Sequence, residues 1–134
     1  MYYDFAVTVI AGTTKNTPKE QTLKLTKGII HYVEVNFPAG CRGYAFMTLR
    51  HQEHQVWPTN PERAFSGEGY TIPMQEYYKL YSEPYSLKAV AWSPDATYDH
   101  TITVRIGILS EEELEPVKET TNLLQKFLKL LGGK

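Results

Sequence analysis

A chain of 134 residues and 15.4 kDa has the size of one domain and can bury a core of its own without disulfides or a structural metal. Cys41 is the only cysteine, which excludes an intramolecular bridge and cysteine-rich zinc modules; a net charge of −1 from 14 basic and 15 acidic side chains offers no phosphate-tracking stripe for nucleic acid. The longest apolar run, Phe5 to Gly12, is too short to span a bilayer and follows Asp4 rather than a basic residue, so neither a membrane span nor a secretion signal is expected.

Residues 3–11 place Phe5, Val7 and Val9 on one face and Asp4, Ala6, Thr8 and Ile10 on the other, the period of a half-buried strand. After a polar stretch from Gly12 to Glu20, Leu23 and Leu25 alternate with Thr22, Lys24 and Thr26, which predicts a second strand closing an N-terminal hairpin arm over residues 1–27. Ile29 to Phe37 reads as a third strand, with His31, Val33, Val35 and Phe37 sharing one face until Pro38-Ala39-Gly40 ends it. From Arg42 to Arg50 apolar residues occupy both faces, as expected for a central strand covered on each side or buried at an oligomer contact, and His51 to Trp57 continues or bends it as far as Pro58.

Residues 58–69 are dense in turn formers and too many for a hairpin loop, so a crossing loop with Phe65 tucked inward is expected. Short extended pieces at Tyr70–Pro73 and Tyr77–Tyr81 then precede strands at Tyr85–Trp92 and His100–Leu109. In the last of these, Ile102, Val104, Ile106 and Ile108 alternate with Thr101, Thr103, Arg105 and Gly107. Short strands separated by turns of unequal length predict an all-β fold over residues 1–109, a jelly-roll-like or Greek-key β-sandwich.

Residues 110–134 change character and read as a C-terminal helical extension. Ser110 and Glu113 have the spacing of a capping box, and Pro116 suits a first helical turn. From Val117 to Leu131, an amphipathic α-helix carries Leu123, Leu124, Phe127, Leu128 and Leu131 on one stripe, with Lys118, Lys126 and Lys129 off it. A helix of about 15 residues is marginal alone in water, so the stripe must be buried on its own sandwich, on a neighbouring subunit or on a different protein.

No residue pattern carries catalysis. His51-Gln52-Glu53-His54 offers metal-ligand chemistry, yet on a strand His51 and Glu53 share a face while His54 points away. Cys41 sits in a turn with no histidine paired to it in sequence, where a small residue at a strand start is the simpler reading. Gly67 and Gly69 lack the third glycine and following helix of a phosphate cradle, and the acids from Glu111 to Glu115 suit a helix start. No catalytic residue, metal or organic cofactor is therefore expected. Trp57, Trp92, Tyr70, Tyr77, Tyr78, Tyr81, Tyr85 and Tyr98 are able to stack on sugars or to serve as core and interface residues, and Trp57, Tyr70, Tyr77 and Tyr78 form the candidate aromatic contact surface.

The runs Leu25–Gly40, His54–Pro61 and Asp99–Leu109 make residues 25–109 similar to small β-sandwich proteins encoded among tailed-phage virion genes, which act as decoration, cement or adaptor subunits. The resemblance implies a structural virion protein, a capsid decoration, cement or head–tail accessory subunit, made in the host cytoplasm and working by assembly as a homo-oligomer or with the major capsid or another virion protein. The competing readings are a carbohydrate-binding β-sandwich module and, more remotely, a metal-dependent enzyme.

Overall fold

The structure, a computed structural model, describes residues 1–110, 112 and 123–131. Eight strands run β1 (Tyr2–Val9), β2 (Lys19–Lys24), β3 (Gly28–Phe37), β4 (Phe46–His51), β5 (His54–Trp57), β6 (Tyr70–Leu80), β7 (Ser86–Trp92) and β8 (His100–Ser110). They form two antiparallel four-stranded sheets of order β1-β8-β3-β6 and β2-β7-β4-β5. Chain order alternating between sheets in this way is the double Greek key of a jelly roll, so the all-β sandwich expected from strand periodicity is the observed fold. Residues 123–130 form a helix, α1, after the sandwich.

The core lies where the inward rows of the two sheets meet. Phe5, Val7 and Val9 of β1 stand opposite Val104, Ile102 and His100 of β8, and Val104 stands opposite Val35 on the other side. Across the gap, Leu23, Met47, Leu49, Leu87, Ala89 and Ala91 complete a single buried cluster. On the outer face Arg105 lies between acids of both neighbouring strands, 3.7 Å from Asp4 and 3.5 Å from Glu34. The pair with Asp4 is solvent-exposed, so it fixes register more than it adds stability, at about 0–1 kcal/mol, whereas Glu34 is half-buried.

Four expectations need correction. The first two strands are no hairpin arm: β1 pairs with β8 and β2 with β7, in different sheets, so residues 1–27 are integral to the sandwich. His31 does not share the Val33 face, because β3 holds one more residue than β8 between Ile30 and Tyr32. That bulge turns Ile30 inward and leaves the His31 ring on the outer face, edge-on to Tyr2.

The two pieces around Pro73 are one strand. β6 is the edge of its sheet, where a proline without an N–H costs no ladder bond on the open side. His51 to Trp57 turns back on itself, since Gln52 adopts a left-handed φ of 57° and sets His54 opposite His51. Phe65 does tuck inward, bridging to Met47 by backbone hydrogen bonds and packing on the core. Ser110 of the predicted capping box ends β8, while Glu113, Pro116 and residues 117–122 of the predicted helix, with Lys118, lie outside the described residues.

Candidate functional site

Helix α1 presents the predicted stripe to solvent. Leu123, Leu124, Phe127, Leu128 and Leu131, joined by Leu130, are between 52% and 86% exposed, and each described residue from 123 to 131 is exposed. The sandwich core is built from strand residues together with Cys41 and Ala45 of the β3–β4 loop, and includes none of them. Among the described residues no helix is long and apolar enough to cross a membrane.

The four predicted aromatics do not form one surface. Trp57 lies opposite Leu49 in the β4–β5 pair, and Leu49 faces inward, so the indole enters the core at 3% exposure. Tyr78, opposite inward Ile30, packs on it edge-on. Tyr70 is exposed at one end of β6, and Tyr77 is exposed on the outer face of the same strand, where Lys79 lies 6.0 Å from its ring centre. Strand parity separates Tyr77 from Tyr78, while Tyr70, opposite buried Phe37, is exposed because it begins the strand; a sequence window that counts rings cannot see either.

Aromatic floor and charged walls occur instead on the outer face of the β2-β7-β4-β5 sheet. Phe46 and Trp92 stack with ring centres 5.9 Å apart, and Lys15 Nζ sits 5.6 Å from the Trp92 centre. The crossing loop of residues 58–66 overhangs them, pinned by the Gln55 amide, which donates to the carbonyls of Pro58, Asn60 and Arg63 at 2.8, 3.2 and 3.2 Å. Beneath it lie two adjoining hollows of about 210 Å³ each. Thr48 Oγ1 and Arg50 Nε are buried there without a hydrogen-bond partner among the described residues.

A larger hollow, about 590 Å³, opens at one end of the sandwich between the β3–β4 and β7–β8 loops. Its walls carry Arg42, Tyr44, Tyr98, Asp99 and His100. Both loops are held by their own hydrogen bonds. The Glu68 carboxylate accepts from the N–H groups of Gly40 (2.9 Å to Oε2) and Arg42 (3.4 Å), while Gly43 N–H donates to Gly67 O at 3.2 Å. Arg42 and Gly43 take successive left-handed φ values of 50° and 76°, a reversal that glycine makes easily and that the Glu68 clamp holds at Arg42. Opposite, Asp99 Oδ1 accepts from Ala11 N–H at 2.8 Å, and Ala96 N–H donates to Ser93 O at 3.2 Å.

Cys41 borders this hollow yet belongs to the core, 1% exposed; burial, and next the Glu68 charge, push its thiol above the ordinary 9.0. A thiol held protonated is a poor nucleophile. The histidine pair is engaged locally. His51 Nε2 lies 3.3 Å from the Pro84 carbonyl, to which it must donate, so Nδ1 accepts from the Tyr78 hydroxyl at 2.8 Å. Among the described residues no three His, Cys, Asp or Glu side chains gather as metal ligands.

The sequence matches no protein-family profile and no curated protein. The fold is similar to a solved chain described as the crystal structure of PirA, with 11% identity, a TM-score of 0.38, and coverage of 79% of this chain and 93% of that one. A likeness at that level carries no functional argument.

Proposed function

We propose that this chain is a structural subunit of a virus particle, of the capsid decoration, cement or head–tail accessory kind, which acts by protein–protein assembly and catalyses no reaction. The observation that carries the proposal is the exposed apolar stripe of α1 beside a core made without it. Large apolar side chains clustered on a surface mark a contact site, and a short helix needs such a contact to persist in water. Burying Leu123, Leu124, Phe127, Leu128 and Leu131 on a neighbour would contribute roughly 7–15 kcal/mol before the costs of ordering and association. That is enough to hold a subunit in a lattice.

The viral part rests on the likeness of residues 25–109 to phage virion sandwiches, because jelly rolls serve capsids, lectins and cupins alike. Co-sedimentation of the chain with intact particles through a density gradient tests it. Wild-type chain should band with particles, and Leu124→Asp with Phe127→Asp should stay at the top. Equal banding of the double variant, or no banding of the wild type, overturns the reading.

A further inference from the structure

The hollow between the β3–β4 and β7–β8 loops has features that assembly through α1 does not use. His100 is 8% exposed, and neither of its ring nitrogens has a hydrogen-bond partner among the described residues. Neither nitrogen is among the fully buried unsatisfied atoms of the described residues, so the imidazole edge opens on the hollow and is available to an occupant. The Asp99 carboxylate has one oxygen fixed by Ala11 N–H and the other uncommitted. The Arg42 side chain makes no ion pair among the described residues, and its backbone is fixed by Glu68. Two phenol rings, Tyr44 at 49% exposure and Tyr98 at 73%, stand on the walls.

Exposed flat rings combined with a carboxylate acceptor, a guanidinium donor and an imidazole match the two sides of a pyranose. The C–H face of the sugar packs on a phenol, and neighbouring hydroxyls donate to Asp99 and accept from Arg42 or His100. An anion is a poorer occupant, since Asp99 and Glu68 offset Arg42. The loops are fixed by backbone hydrogen bonds on both sides, so little ordering cost falls on binding. We propose that this hollow is a glycan-binding subsite that takes one uncharged pyranose ring, with Tyr98 and Tyr44 as stacking platforms and Asp99, Arg42 and His100 as hydroxyl partners. The site lies on the sandwich, apart from α1, and stands whether or not the assembly role holds.

The experiment is titration of the isotope-labelled full chain with methyl glucoside, methyl mannoside, methyl galactoside and methyl N-acetylglucosaminide, followed by amide chemical shifts. At sugar concentrations of about 10 mM, well above a millimolar Kd, at least one glycoside should shift the amides of residues 40–44 and 96–100. Tyr98→Ala removes an exposed ring, and Asp99→Asn keeps an oxygen for Ala11 N–H while removing the charge. Each should weaken that binding about tenfold or more, with the remaining amide spectrum unchanged. Silence from all four glycosides, shifts centred on Trp92 and Lys15 instead, or undiminished affinity in Tyr98→Ala overturns the proposal.

Discussion

Tyr78 meets Trp57 edge-on, their ring centres 5.4 Å apart and their planes at 62°, while its hydroxyl donates to His51 Nδ1 at 2.8 Å. The pair thereby ties the edge strand β6 of one sheet to the β4–β5 hairpin of the other, and His51 extends the tie to the Pro84 carbonyl. Trp57→Ala should cost about 3–5 kcal/mol in urea unfolding, and Tyr78→Phe, which loses the hydrogen bond alone, about 1 kcal/mol.

Alkaline pH reads the same contact. Burial raises the Tyr78 phenol above its ordinary 10.0. The unfolded chain loses this proton first, so the stability it contributes is fully present below pH 10 and is lost as pH rises through the folded value. Wild-type stability should fall more steeply above pH 10 than that of Tyr78→Phe, measured by urea midpoints. Parallel curves would mean that the phenol is no more buried in the folded state.

Cys41 should be silent in the native protein. With its thiol buried and held protonated, a thiol-specific chromogenic reagent at pH 8 should label it only after urea is added. Immediate labelling of folded protein would place it at the surface.

Two glycines should respond unequally to alanine. A Cβ on Gly28 would overlap the Leu109 carbonyl oxygen, a backbone atom in the paired strand, whereas one on Gly107 would meet the Tyr2 and His31 rings at 2.7 and 2.9 Å. Tyr2 is exposed and free to swing away. Gly28→Ala should therefore destabilise by about 1–3 kcal/mol and Gly107→Ala by less, compared by thermal melting.

Val104 is fully buried at the middle of β8, opposite Phe5 and Val35. Val104→Asp should unfold the domain, since an unpaired buried charge costs several kcal/mol against a total stability of about 5–15. A strand-like circular dichroism spectrum with a cooperative melt in this variant would place the position at the surface.

Strands whose alternation is clean were legible from residue order: β1 and β8 each show one apolar row, and the two-sided β4 is indeed covered outside, with Thr48 buried under the crossing loop. The misreadings have local physical causes. The bulge between Ile30 and Tyr32 shifts parity within β3, an edge position excuses Pro73, and Gln52 turns a hairpin that has no glycine or asparagine to announce it. The apolar stripe of α1 was visible as helical spacing, but whether it is covered is a matter of tertiary contact. Tyr98 stands among the candidate stacking aromatics, but the hollow it walls was not visible. Its walls come from Arg42–Tyr44 and Tyr98–His100, brought together only by the pairing of β3 with β8 across the long connection between them.

Sedimentation equilibrium of the full chain against a variant lacking residues 117–134 tests the assembly role most directly. The full chain should gain mass with concentration, while the shortened chain stays monomeric and keeps its strand spectrum and melting temperature. A full chain that remains monomeric at the highest concentration, together with a shortened chain that unfolds, would contradict assembly through α1 and make the helix a cover for its own sandwich.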